Sequence, residues 1–141
     1  MNAEAVGPGG ISRIEPKSSP MRVLIVDDEP LIRWSLAETL TDRGYDVVES
    51  GDARSARLAV RDASPRFDVI LLDFRLPDSK DLTLLASLRE STPGSQVILM
   101  TAFGTPEVVC GALDLGAYRV VSKPFELHDL ASLVAESGAP R

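Results

Sequence analysis

The sequence has one cysteine, one histidine, few aromatic residues and no apolar run long enough to span a bilayer. One thiol makes no internal disulfide, so Cys110 points to a reducing, cytoplasmic setting and to a fold held by burial alone. The N-terminus lacks the continuous apolar segment of a secretory signal. Positive charge is scarce as well. The 15 Lys and Arg stand against 21 Asp and Glu, a formal charge of −6, and that field disfavours direct contact with nucleic acid or an anionic membrane. The lone His128, near the C-terminus, speaks against a phosphohistidine carrier or a His-based metal site. What remains is one domain's worth of chain, since 141 residues can bury roughly two-thirds of their unfolded surface.

Residues 1–20 contain three Gly, three Pro and three Ser with only isolated apolar side chains, and they read as a flexible tail. Residues 21–137 read as the folded domain. From Met21 onward, short apolar runs alternate with segments of helical periodicity, the signature of an α/β fold with a parallel sheet. The predicted strands are Arg22–Val26, Tyr45–Glu49, Asp68–Leu72, Gln96–Met100 and Tyr118–Ser122. The first predicted helix begins at Pro30, repeats Ile32, Leu36 and Leu40 inward and stops at Gly44. The second carries Ala56, Ala59, Val60 and Ala63, and Pro65 closes it. The third runs near Asp81 to Ser91 with Leu82, Leu85 and Leu88 buried. The fourth runs near Pro106 to Leu115 with Val109, Ala112 and Leu113 inward. Leu127, Leu130 and Val134 mark the last. Trp34 reads as core or helix-packing material and Cys110 as an ordinary small side chain.

Four of the five predicted strands end in residues with chemistry: Asp27 and Asp28 after the first, Asp73 after the third, Thr101 after the fourth and Lys123 after the fifth. Each alone has a modest explanation, as a helix cap, a turn former or a solvated charge. Together they converge, because the carboxyl ends of parallel strands form the ligand-binding edge of an open sheet. Three clustered carboxylates repel one another, and a hard, oxygen-preferring divalent cation such as Mg²⁺ relieves that repulsion. A lysine and a hydroxyl opposite would hold the oxygens of a transferring phosphoryl group, for which a central aspartate is a competent nucleophile.

The motifs Asp27-Asp28-Glu29 after a strand, Asp73-x-x-Leu76-Pro77, Thr101-Ala102 and Ser122-Lys123-Pro124-Phe125, in that order, resemble the receiver domain of bacterial two-component response regulators. The resemblance runs from about Met21 to Glu136. It implies a flavodoxin-like (βα)5 three-layer sandwich with a five-stranded parallel sheet in the order 2-1-3-4-5. It further implies that Asp73 is the phosphoacceptor and that Asp28, Asp73 and the Arg75 carbonyl bind Mg²⁺. Asp27 would act mainly through metal-bound water, Thr101 as the switch hydroxyl and Lys123 as the phosphate-contacting cation, with a cis bond before Pro124. The implied partners are a histidine kinase or phosphotransfer protein as donor and a downstream protein docking on the face of the fourth helix, fifth strand and fifth helix. Val108, Leu115, Tyr118 and Val120 are candidates for that face.

Ile32-Arg33-Trp34 and Thr101-Ala102-Phe103-Gly104 are similar to receivers of the nitrogen-regulator class. The absence of a linker after Gly138 favours a stand-alone receiver over one cut from a longer regulator. Four positions depart from the family pattern. Val120 replaces the usual aromatic, Asp81 replaces a usual Gly, and Arg75 and Phe103 are bulky where they would control water access to the phosphoryl group. The competing class is an aspartyl phosphatase or phosphomutase. Such enzymes place a second acid two residues beyond the nucleophile, where this chain has Arg75.

Overall fold

The computed structural model describes residues 20–139, so the expected tail, apart from Pro20, lies outside the described residues. Its elements alternate throughout: β1 Arg22–Val26, α1 Pro30–Asp42, β2 Asp46–Ser50, α2 Ala53–Asp62, β3 Val69–Asp73, α3 Thr83–Ser91, β4 Gln96–Thr101, α4 Pro106–Asp114, β5 Arg119–Ser122 and α5 Leu127–Ser137. The strands form one parallel sheet in the order β2-β1-β3-β4-β5. This is the flavodoxin-like arrangement, with helices on both faces.

The period-2 geometry of a strand explains why the central runs had to be apolar throughout. Leu24, Val26, Ile70, Leu72, Val97 and Leu99 face one side, where they meet Ala53 and Ala56 of α2, Leu84, Leu85 and Leu88 of α3 and Ala112 of α4. The intervening Val23, Ile25, Val69, Leu71, Ile98 and Met100 face the other, against Leu36, Ala37 and Leu40 of α1 and Leu130, Ala131 and Val134 of α5. Each fully buried aliphatic side chain contributes about 1.5–3 kcal/mol, so the two cores hold the three layers together without any bridge. Pro30 opens α1 at its first position, and Gly44, at φ +89°, turns the chain into β2.

Three packing expectations are corrected. Leu113 is 47% exposed rather than inward. The inner side of α4 is set by Ala112 and by Gly111, where a Cβ would come within 2.9 Å of the Leu82 side chain, and Leu113 lies a further 100° around the helix. Trp34 is 58% exposed, because it stands two residues, or about 200°, from the buried Leu36 on α1. The third helix starts at Thr83, not Asp81; the Asp81 carboxylate instead accepts the Thr83 N–H at 2.9 Å, and Leu84 joins Leu85 and Leu88 in the core while Leu82 is half-buried.

Candidate functional site

The register of the sheet brings the strand ends to one edge. Val26 pairs with Ser50 and Leu72, Asp73 with Met100, and Thr101 with Ser122, so Asp27, Asp73, Thr101 and Lys123 emerge together. A cleft of about 240 Å³ opens there, lined by Asp28, Glu29, Asp73, Arg75, Thr101, Ala102 and Lys123. Of the residues expected to hold metal or phosphoryl group, Asp28, Asp73, Arg75, Thr101 and Lys123 line it, and the buried Asp27 accepts a hydrogen bond from Lys123.

Lys123 is the hub of the charges. Its Nζ donates to Asp27 Oδ2 at 2.9 Å and to Glu29 Oε1 at 3.0 Å, and stands 3.4 Å from Asp73 Oδ2. Burial pulls the ammonium's pKa down, but the hydrogen bonds to Asp27 and Glu29 and the charges of Asp27 and Asp73 outweigh it and hold the group well above the ordinary lysine range. The peptide bond to Pro124 is cis, as the resemblance implied, and the Lys123 N–H donates to the Thr101 carbonyl at 2.8 Å.

Asp27 is fully buried and Asp73 only 7% exposed. Asp27 spends one carboxylate oxygen on the Glu29 N–H and the other on Lys123. Asp73 has weaker company, a 3.4 Å contact from the Arg75 N–H besides Lys123. Burial, and then the charge on Asp27, push its carboxyl up to about 6 against the pull of Lys123 and the Arg75 N–H. At neutral pH Asp73 is therefore mostly ionised yet poorly solvated, which suits a nucleophile.

The Thr101 hydroxyl, buried at the end of β4, accepts the Phe103 N–H at 3.1 Å. Its proton is left to donate toward the cleft. Beside it, the exposed Arg75 guanidinium lies 6.0 Å from the centroid of the exposed Phe103 ring.

Carboxylate oxygens of Asp27, Glu29 and Asp73 lie within 4.8 Å of one another. Hard anionic oxygens gathered at this edge, the one on Asp73 raised in pKa by burial and by the charge on Asp27, fit a Mg²⁺ ion, which takes one or two carboxylates and keeps several waters. Glu29 was not among the sequence candidates. It precedes α1 as its N-cap yet makes no side-chain cap bond, and its carboxylate turns to Lys123 instead. The one sequence signal is a glutamate at a position where Ser, Thr, Asp or Asn would cap better. Asp28 is exposed and lines the cleft mouth.

Of the proposed docking residues, Val108, Tyr118 and Val120 are half-buried and Leu115 is 39% exposed. Val108 and Val120 pack against one core and Tyr118 against the other. Among the described residues no helix is long and apolar enough to cross a membrane.

Comparison with known proteins places these features. The response regulator receiver domain profile matches residues 23–135. The probable transcriptional regulatory protein TcrX of Mycobacterium tuberculosis is 37% identical over 111 residues, which are 79% of this chain and 47% of TcrX. The DNA-binding transcriptional regulator NtrC of Proteus hauseri is 33% identical over 112 residues, 79% of this chain and 23% of NtrC. The chain thus spans about half of the one relative's length and a quarter of the other's. Among solved structures, a chain of the CheX-CheY-BeF3-Mg+2 complex from Borrelia burgdorferi superposes with a TM-score of 0.80 at 25% identity, over 88% of this chain and 93% of that one.

Proposed function

This chain belongs to the response regulator receiver domain family of two-component systems, a family of signalling modules, and from that premise we propose that it takes a phosphoryl group from a histidine kinase or phosphotransfer protein onto Asp73 and thereby changes its affinity for a partner protein. The observation that carries the reading is the meeting of a buried, ionisable Asp73 with Lys123 and the Thr101 hydroxyl at one sheet edge.

An Asp73 carboxylate oxygen attacks phosphorus. The new O–P bond forms as the P–N bond of the donor phosphohistidine breaks, and the electron pair leaves with the donor nitrogen. Lys123 gives up part of its hold on the carboxylates to bind one phosphoryl oxygen, and Thr101 donates its free proton to another. Asp28, Asp73 and the Arg75 carbonyl would hold Mg²⁺, with Asp27 acting through its water; bound there, the ion neutralises charge developing on the phosphoryl oxygens. Arg75 lines the cleft with its guanidinium near the Phe103 ring, and these two bulky side chains would control the access of water to the acyl phosphate and so the rate of the chain's own dephosphorylation. The aspartyl phosphatase reading lacks support, because the position two residues beyond Asp73 is the exposed Arg75 rather than an acid.

Incubation with a small phosphodonor and Mg²⁺ is expected to add one phosphoryl group, mapped to Asp73 by mass spectrometry after reductive trapping. Asp73→Asn is expected to accept none. Modification at another carboxylate refutes the assignment. Metal binding separates the two leading aspartates. A partner that only orients a ligand typically costs 10–100-fold in affinity, so losing a direct ligand in Asp28→Ala should weaken Mg²⁺ by more than about tenfold and exceed the loss in Asp27→Ala. Equal affinities in a calorimetric titration of the two variants would reassign the ligands, with Glu29 the nearest replacement for Asp28.

A further inference from the structure

The loop from Asp27 to Glu29 is gripped from α1 by a residue outside the cleft, and we propose that this residue, Arg33, is a positioning residue of the Mg²⁺ site, fixing the peptide that joins Asp27 to Asp28 and so the directions of both carboxylates. The proposal deepens the reading above and rests on it.

Arg33 sits in the first turn of α1, where its backbone N–H donates to the Glu29 carbonyl at 3.0 Å. Its guanidinium folds back on the same loop. Nη1 donates to the Asp27 carbonyl at 2.7 Å, and Nε donates to Glu49 Oε1 of β2 at 3.2 Å. Room for this group comes from Gly51, where a Cβ would stand 3.1 Å from Nη1. The remaining polar groups of Asp27 are also committed: its N–H donates to the Ser50 carbonyl at 3.0 Å, Oδ1 accepts the Glu29 N–H and Oδ2 accepts Lys123 Nζ. Arg33 thus supplies the one bond that sets the plane of the Asp27–Asp28 peptide. Its planar fork reaches the carbonyl and Glu49 together, anchoring the acidic loop to β2 in a way a single ammonium cannot reproduce.

A charge-only role predicts the opposite sign of effect. A guanidinium close to a cluster of carboxylates repels an incoming divalent cation, so its removal, if charge were all, would tighten Mg²⁺ binding. Loss of positioning weakens it, and supporting bonds of this kind are worth 10–100-fold in metal affinity.

The experiment titrates Mg²⁺ alone into wild type, Arg33→Ala, Arg33→Lys and Glu49→Gln. Calorimetry and the Mg²⁺-induced rise in unfolding midpoint serve as readouts, neither of which depends on phosphorylation. The expected result is binding about 10- to 100-fold weaker in Arg33→Ala. Smaller losses are expected in Arg33→Lys, which keeps charge and one donor, and in Glu49→Gln, which keeps the carbonyl bond. Binding as tight as wild type or tighter in Arg33→Ala overturns the proposal. If that variant does not fold, unchanged affinity in both Arg33→Lys and Glu49→Gln overturns it equally. A wild type that shows no Mg²⁺ response overturns the metal reading itself, before any substitution is made, and the role of Arg33 with it.

Discussion

Asp73→Asn is expected to raise the unfolding free energy of the metal-free protein at pH 8 by up to about 3 kcal/mol, a gain on the order of ten degrees in Tm for a domain of this size. The reason is that the folded state holds Asp73 at a pKa of about 6, above its ordinary 3.8, through burial and the neighbouring Asp27. Between those two values the folded chain binds more protons than the unfolded one. Stability therefore falls as pH rises from about 4 to about 6, and the full cost of the charge stands above that window. Asn keeps the shape and removes the charge, so the variant should lack this fall. Saturating Mg²⁺ should close the gap, because the wild-type carboxylate then has its counterion. Thermal melts of both proteins at pH 4.5 and pH 8, with and without Mg²⁺, measure this. A difference that does not grow with pH would show that the Asp73 charge is already well compensated by Lys123.

Most of this site was legible from the chain because of where strands end. Unbroken apolar runs such as Val23–Val26 and Val69–Leu72 mark strands covered on both faces, and the parallel order puts whatever follows them at one edge. Asp27, Asp73, Thr101 and Lys123 needed no more than that. Glu29 and Arg33 were not legible as site residues, since each acquires its role from a partner distant in sequence. The Glu29 carboxylate turns inward only because Lys123 arrives from the end of β5, and the Arg33 guanidinium is oriented by Glu49 on the neighbouring β2. The errors on Trp34 and Leu113 have another cause. Hydrophobic identity suggested burial, whereas the inner faces of α1 and α4 are set by Leu36, Ala37 and Leu40 and by Gly111 and Ala112. The third helix begins two residues after Asp81, whose side chain accepts the Thr83 N–H.

Lys123→Ala should cost the metal-free protein about 3–5 kcal/mol at pH 8, the range for removing one member of a buried ion pair. Asp27, Glu29 and Asp73 would then face one another with no cation among them. Protonating one carboxyl relieves that repulsion, so the loss should shrink toward pH 5, and Mg²⁺ should restore much of it at any pH. Denaturant titrations across pH and Mg²⁺ concentration test this, and a loss insensitive to both would mean that Lys123 acts through packing of its chain. The signalling consequence follows from the same contacts. A phosphoryl group shifts a conformational equilibrium only by interacting differently with the two states, and Val120 offers no ring to swing inward. Thr101 and Lys123 must carry the difference. Lys123→Ala should therefore still be phosphorylated on Asp73. In wild type, phosphorylation or a beryllofluoride mimic should alter hydrogen exchange across residues 102–122, which hold the loop after Thr101, α4 and β5. In the variant that change should be largely lost, and retention of the full wild-type response would remove Lys123 from the readout.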